Sequence, residues 1–219
     1  VILFLARTIS RRENKKKGML ELFRTLVLIL PIVGLVGTSN LSTAVIILGI
    51  AVILVFVSSP FYLPFVGLFG AGAGFMGIFL GLESYRLERI AIWRDPESYE
   101  KGFQTIQGLY AIGSGGLFGT GLGGSIQKLG FVPEAQNDMI FSIICEELGL
   151  VGAGILLLPF LMLIWRFFLV SVHAPDLLGS LIAAGVMGHI SIQVILNVAV
   201  VTNTIPNTGI TLPFVSYGG

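Results

Sequence analysis

Charge is scarce in this sequence. Asp, Glu, Lys and Arg make up 11% of its 219 residues, whereas about 25% is typical of soluble domains. This scarcity argues against an ordinary soluble enzyme. Acidic and basic residues nearly cancel, leaving a net charge of +1. The chain therefore has no broad basic field that would attract nucleic acid, and we expect no nucleic-acid partner.

Cysteine is almost absent as well. The single cysteine, Cys145, lies inside an apolar run, which excludes an intramolecular disulfide and a zinc site built from cysteines. Apolar residues, in contrast, are abundant: 54% of the chain is hydrophobic, and the mean hydropathy is +0.93. This composition excludes intrinsic disorder.

The apolar residues fall into runs that are long enough to cross a bilayer, which takes about 20 residues. The predicted spans are 1–6 (the end of one span), 19–37, 41–58, 61–82, 139–165 and 177–201. We therefore predict an all-α integral membrane protein, in which residues 1–219 belong to a single polytopic helical bundle. Because the chain opens with Val1 inside an apolar run, we expect it to be a fragment of a longer protein.

Basic residues set the predicted orientation. The connector 7–17, RTISRRENKKK, holds six of the thirteen Lys and Arg residues, and short basic loops favour the cytoplasmic side. Counting the crossings from there puts the long loop 83–138 on the extracytoplasmic side. A loop of this length between spans is usually functional or disordered, and this one is not of low complexity.

Two parts of the loop 83–138 invite a functional interpretation. Arg86 and Arg89 would share one face of an amphipathic helix, where they could anchor the chain to lipid headgroups or bind a phosphate or pyrophosphate. The segment 113–124, GSGGLFGTGLGG, contains a GxGxxG pattern. It lacks the strand and helix of a βαβ unit, so we reject a dinucleotide site and predict a tightly turning backbone beside a binding cavity.

Asp138 stands where this loop returns to an apolar run. One interpretation is local, namely that it caps the next helix or compensates its dipole; the other is a functional carboxylate. On a helix, Glu146 would lie about 12 Å from Asp138, too far to form a close pair of carboxylates. Glu134, one turn earlier, is the nearer potential partner.

Polar side chains also occur inside the predicted spans. Glu146 and Glu147 are costly in an apolar run, and we favour a structural role in which they pair with another helix or face a polar crevice. His189, Gln193 and Asn197 recur at every fourth position and form one polar stripe. Hydrogen bonding between helices and a proton relay or cavity lining both remain open for this stripe.

Several motifs together resemble the SEDS family, to which FtsW, RodA and SpoVE belong. They are STAVI, YRLERI with WRDP, Gln104 and Gln107, AIGSGGLFGTGLGGSIQKLGFVPEAQNDMIFSIICEELGLVGA, and NTIPNTGITLPFVSYGG. The resemblance implies a ten-span fold with a large extracytoplasmic loop, of which this fragment would cover the end of the fourth span through most of the ninth. The chain departs from the family at Asn40, where an acid is usual, and at Met139, where an aromatic is frequent.

The resemblance also implies a function. Family members polymerise lipid II into peptidoglycan strands in the bacterial plasma membrane, during division, elongation or sporulation, with a class B penicillin-binding protein as partner. Their essential aspartate falls on Asp138, which we expect to act as general base in an inverting transfer. The expected substrate contacts are Arg86, Arg89 and Lys128 for the pyrophosphate, with Gln127 and Glu134 beside them.

The sequence leaves the metal requirement and the alternatives to a polymerase open. No cofactor is predicted with certainty; a divalent cation could share the task of the cationic side chains, although the sequence offers no clear ligand set. The alternatives to a polymerase are a flippase that moves lipid II across the membrane and a scaffold that recruits a transpeptidase without catalysis.

Overall fold

A computed structural model describes residues 1–11, 18–58, 70, 74, 84–129, 132 and 135–217. Its helices are α1 (Ile2–Ser10), α2 (Gly18–Ser39), α3 (Leu41–Ser58), α4 (Ser84–Arg94), α5 (Phe103–Gly115), α6 (Ile140–His173) and α7 (Leu177–Val201). Short 3-10 turns occupy Pro96–Ser98, Glu100–Gly102 and Gln127–Leu129. The described ranges contain no strand.

Three of these helices, α3, α6 and α7, are long and apolar enough to cross a membrane. α3 and α7 have the same bounds as two of the predicted spans, whereas α6 continues to His173, beyond the predicted end at residue 165. Nearly all of the predicted span 61–82 lies outside the described residues. The loop predicted over 83–138 contains two helices, α4 and α5.

The chain divides into two compact units. The first comprises Val1–Phe79 and Met162–Ile192, and the second comprises Leu80–Leu161 and Gln193–Gly219. In the first unit, glycines allow helices to approach closely. A Cβ atom on Gly49, Gly185 or Gly188 would collide with an isoleucine of another helix in each case. The isoleucines are Ile192, Ile2 and Ile53, respectively.

Asn40 forms the junction between α2 and α3. Its backbone N–H donates to Val36 O at 2.7 Å, and its side-chain Oδ1 accepts from the backbone N–H of Thr43 at 3.0 Å. Asn and Asp are about equally good at this capping position. Asn40, which stands where the family usually has an acid, therefore still caps the start of α3.

In the second unit, α6 is broken at Gly149. This residue has φ 69° and ψ −172°, a conformation that is accessible essentially to glycine alone. The segment 115–121 fills the break: the amides of Thr120 and Gly121 donate to the carbonyls of Glu146 and Glu147, at 2.9 and 3.0 Å. On the far side, Leu150 N and Val151 N donate to Gly116 O and Leu117 O at 2.9 and 3.1 Å.

The glycine-rich segment thus takes over the backbone bonds that the broken helix loses. In a membrane each unsatisfied backbone group costs several kcal/mol, so a break in α6 is tolerated only where other groups replace the missing partners. The predicted tight turning of 113–124 is observed, with positive φ at Gly116, Gly119, Gly121 and Gly123. The amides of Thr120 and Gly121 bond to carbonyls at the helix break, a role that the glycine pattern in the sequence does not indicate.

Replacing Gly149 tests this arrangement. A Cβ there would collide with the backbone of Leu117 and Gly119, and the backbone conformation alone should cost Gly149→Ala about 1–3 kcal/mol of unfolding free energy. We expect a clear fall in the midpoint of thermal unfolding in detergent. Gly154→Ala is the matched control, because the space around Gly154 is open and alanine is the better helix former. Equal midpoints for both variants would contradict the account.

Candidate functional site

A cavity of about 280 Å³ lies in the second unit. Its walls come from α4, from α5 and the turn that leads into it, from the turn before α6 and from the chain after α7. The lining residues are Arg89, Ile92, Trp93, Lys101, Gln104, Thr105, Asp138, Asn203, Asn207 and Gly209. The volume is near the lower end of the range for small-molecule sites, about 300–1,000 Å³.

Asp138 is the carboxylate in this lining. It occupies the turn before α6 and is only 7% exposed. Its Oδ1 accepts a hydrogen bond from Gln104 Nε2 at 3.3 Å. A buried carboxylate is stable only where polar groups surround it, and this one faces a cavity rich in amide and cationic side chains.

Gln104 belongs to a chain of amides that begins in the segment after α7. The backbone N–H of Gly209 donates to Asn207 Oδ1 at 2.9 Å. Asn207 Nδ2 donates to Gln104 Oε1 at 3.2 Å, and Gln104 donates onward to Asp138. Three segments that are far apart in sequence therefore meet at one carboxylate.

Asn197, fully buried in α7, fixes the backbone around Asp138. Its Nδ2 donates to Asp138 O at 2.8 Å and to Ile210 O at 2.7 Å. The amide of Tyr217 adds a further link, because it donates to Gln136 O at 2.8 Å. The irregular chain after α7 is thus bound to the turn that carries Asp138. The polar stripe of α7 had suggested hydrogen bonds between helices, whereas Asn197 donates to a turn and to irregular chain.

The helix α4 is attached to the same chain segment. Trp93 Nε1 donates to Asn203 O at 2.9 Å, and Asn203 adopts the left-handed conformation with φ 53°. Arg89 donates from its guanidinium to Asn207 O at 3.4 Å. These bonds bring the guanidinium of Arg89 to the cavity wall.

Two cationic side chains therefore line the cavity, Arg89 and Lys101. Lys101 forms an ion pair with Glu88 at 3.0 Å, and both side chains of that pair are exposed. Exposed pairs of this kind contribute little, about 0–1 kcal/mol. The ammonium of Lys101 can consequently exchange this partner for an anionic ligand at small cost.

The other predicted substrate contacts are placed differently. Lys128 Nζ lies 2.5 Å from Glu147 Oε1, and Lys128 does not line the cavity. Gln127 begins a 3-10 turn, and its Oε1 is buried without a partner among the described residues. Glu134 and the side chain of Arg86 lie outside the described residues. The structure thus brings Asp138 and Arg89 to one cavity and associates Lys128 with α6.

The two glutamates of α6 anchor the chain ahead of Asp138. Glu146 is buried and accepts hydrogen bonds from Ser125 Oγ and from the amide of Ile126, the latter at 3.2 Å. Ser125 Oγ accepts in turn from the amide of Lys128 at 3.1 Å. With the Lys128–Glu147 pair, these bonds agree with the structural role favoured from the sequence.

Seven cavity residues were not singled out as site residues from the sequence: Ile92, Trp93, Lys101, Thr105, Asn203, Asn207 and Gly209. Gln104 was noted only as part of the family pattern. Trp93 and Lys101 are ordinary residues of an interfacial loop, and nothing in their spacing points to Asp138. Asn203 and Asn207 lie in a segment rich in Asn, Gly and Pro, and such irregular chain at membrane depth is expected to line a cavity.

The described residues do not form a metal site. No three His, Cys, Asp or Glu side chains within the described ranges come close enough to hold a metal ion. Asp138 is the sole carboxylate among the residues that line the cavity. A divalent cation would therefore depend on ligands beyond this set.

The comparison with known proteins assigns a family. The sequence profile of the FtsW/RodA/SpoVE family, described as cell cycle protein, matches residues 1–219. The chain belongs to this family. The resemblance to the SEDS proteins is thereby confirmed, and so is the all-α polytopic membrane fold, since solved structures of the family superimpose on the chain.

Relatives of the chain include a sporulation protein and probable peptidoglycan glycosyltransferases. Stage V sporulation protein E of Bacillus subtilis is 42% identical over 233 residues, covering 100% of this chain and 61% of the relative. The probable peptidoglycan glycosyltransferase FtsW of Coxiella burnetii is 36% identical over 225 residues, with 100% and 60% covered. The chain thus spans about 60% of the length of these curated relatives.

Two solved structures are similar to this one. The first is described as structural coordination of polymerization and crosslinking by a peptidoglycan synthase complex; it has a TM-score of 0.72 at 29% identity and covers 99% of this chain and 61% of its own. The second is a mutant of the rod shape determining protein RodA of Thermus thermophilus, with a TM-score of 0.62 at 27% identity and coverages of 99% and 56%.

The role of Asn197 in holding the site can be tested by stability. Asn197→Ala removes the donor that two buried carbonyls share, and we expect the free energy of unfolding to fall by about 2 kcal/mol or more. The measurement is the thermal unfolding midpoint in detergent. Gln193→Ala, one turn earlier on α7 and only half-buried, should change stability by much less. A loss for Gln193→Ala as large as that for Asn197→Ala would refute the assignment.

Proposed function

We propose that the protein is a peptidoglycan glycosyltransferase that polymerises lipid II into glycan strands. The observation that carries the proposal is the position of Asp138, whose buried carboxylate lines a cavity together with Arg89 and Lys101. Transfer of a sugar from a pyrophosphate needs one carboxylate as base and cations that stabilise the leaving anion. The names of its relatives, which include peptidoglycan glycosyltransferases and a peptidoglycan synthase complex, support the same activity.

The chemistry requires a base and a site for the leaving anion. The acceptor 4-hydroxyl attacks the anomeric carbon of the donor sugar, a new C–O bond forms, and the bond from that carbon to the pyrophosphate oxygen breaks. Asp138 takes the hydroxyl proton as general base, and undecaprenyl pyrophosphate departs as an anion. One displacement inverts the anomeric centre, so that no covalent sugar–enzyme intermediate is needed.

Cationic side chains stabilise the charge that develops on the leaving group. Arg89 and Lys101 are the cations of the described cavity, and the planar guanidinium of Arg89 suits the oxygens of a pyrophosphate. Arg86 and Lys128 remain candidates from the sequence, together with Gln127 and Glu134. For Lys128, binding substrate would require it to leave Glu147.

The proposal includes a location and a partner. We place the protein in the bacterial plasma membrane as a multi-pass protein, with the loop 83–138 on the extracytoplasmic side, where the lipid-linked sugar would be accessible. The basic connector 7–17 supports this orientation. A class B penicillin-binding protein is the proposed partner, and the similarity to a peptidoglycan synthase complex that couples polymerization with crosslinking supports it.

Asp138→Asn is the direct test. The amide keeps the size of the carboxylate and cannot accept the proton, so we expect glycan polymerisation by the purified full-length protein to fall by at least about 100-fold. Lipid II in detergent is the substrate, and the product is resolved as polymer on a gel. Asp95→Asn is the matched control, because Asp95 is an exposed aspartate of the same loop and should leave polymerisation unchanged.

The outcomes of this assay separate the proposed activity from its alternatives. Wild-type turnover in Asp138→Asn would refute the general-base role. Transport of lipid II across vesicle membranes without any polymer would indicate a flippase. An absence of both activities, with tight binding of a transpeptidase, would indicate a scaffold.

A further inference from the structure

We infer that Gln104 is a positioning residue that holds the carboxylate of Asp138 through an amide relay whose direction is set by the backbone of Gly209. This inference rests on the proposed function, because it assigns Gln104 a role toward the proposed general base. The relay runs from Gly209 N–H to Asn207, from Asn207 to Gln104, and from Gln104 to Asp138.

The direction of the relay follows from its first member. A backbone N–H can only donate, so the atom of Asn207 that faces Gly209, at 2.9 Å, must be the oxygen Oδ1. The NH2 group of Asn207 then points to Gln104, which must present its own oxygen at 3.2 Å. This leaves the NH2 group of Gln104 facing Asp138 Oδ1 at 3.3 Å.

Every amide in the relay is therefore oriented by its neighbour. The oxygen and nitrogen of a side-chain amide are assigned from the hydrogen bonds around it. Rotating the Gln104 amide by half a turn would set its NH2 group against the NH2 group of Asn207 and its oxygen against Asp138 Oδ1. Asp138 consequently meets an N–H donor at Oδ1. A carboxylate that accepts from such a donor is stabilised in its ionised form, which is the form that a general base needs.

Among the described residues, two cationic side chains line the cavity together with Asp138. Arg89 comes from α4 and Lys101 from the turn before α5, and both line the same cavity. Lys101 is itself paired with Glu88. The remaining polar members of the lining are Thr105, Asn203 and Asn207, together with Gln104. Within the described part of the chain, the relay thus adds a neutral, directional donor to a site whose cations are shared with substrate.

Gln104→Glu gives the sharpest test. Glutamate has nearly the same shape as glutamine but places a second carboxylate against Asp138, and two facing carboxylates retain a proton to higher pH. In the purified full-length protein with lipid II, we expect the acid limb of the kcat profile to move upward by about one pH unit or more. At pH 7, kcat should fall about tenfold and recover in part as the pH rises.

Asn207→Asp tests the relay one step earlier. A carboxylate at position 207 still accepts from Gly209 but has no proton to donate, so Gln104 would turn its NH2 group toward residue 207 and its oxygen toward Asp138. We expect kcat to fall about tenfold, with a smaller change in KM for lipid II. Gln107→Glu is the matched control for Gln104→Glu, since Gln107 also lies on α5 and does not line the cavity; we expect its kcat profile to match that of the wild type.

The readouts distinguish the inference from its alternatives. An unchanged acid limb in Gln104→Glu, with kcat near that of wild type, would overturn the inference while leaving the proposed function intact. A lower kcat and a lower unfolding midpoint without any shift of the profile would also overturn it, because Gln104 would then be merely structural. Failure of the wild type to polymerise lipid II would instead defeat the proposed function itself.

Discussion

The structure depends on the hydrogen bonds that backbone N–H and C=O groups form where a membrane helix is interrupted. α6 breaks at Gly149, and the glycine-rich segment 115–121 supplies the donors and acceptors that the helix loses. α7 ends at Val201, and the irregular chain after it is held by Asn197 and by Gln136 O. Hydrocarbon offers no replacement for these bonds. At both of these described interruptions, another part of the same unit supplies the missing hydrogen-bond partners.

These interruptions are also what builds the cavity. In a continuous helix the backbone N–H and C=O groups bond to each other, and only side chains reach neighbouring elements. In the turn before α6 and the chain after α7, backbone carbonyls and amides are available for hydrogen bonds with other elements. Asn197 uses two of these carbonyls to join Asp138 to Ile210, and Gly209 uses an amide to orient Asn207. The carboxylate of Asp138 can be buried because this oriented chain of amides ends in Gln104, whose NH2 group donates to it.

Much of the fold could be predicted from the sequence, because apolar run length is a strong signal. The bounds of α3 and α7 matched two predicted segments, and the family motifs pointed to Asp138. The cavity was harder, since Gln104, Asn207 and Trp93 become neighbours only through long-range contacts that no periodicity records. Lys128 illustrates the converse. Its charge and its position before Asp138 favoured a substrate contact, yet it pairs with Glu147, the residue that follows the buried Glu146 on α6. Sequence proximity does not reveal which anion a lysine reaches.

The contact between Gly119 and Gly149 has a consequence for how the sequence can change. Each glycine sits where a Cβ would strike the backbone beside the other, and both have positive φ. A side chain at either position would push the two backbone segments apart. The glycine at the other position would then no longer be needed for close contact. Substitutions at the two positions are therefore not independent. The double substitution should lower the free energy of unfolding by less than the sum of the two single substitutions.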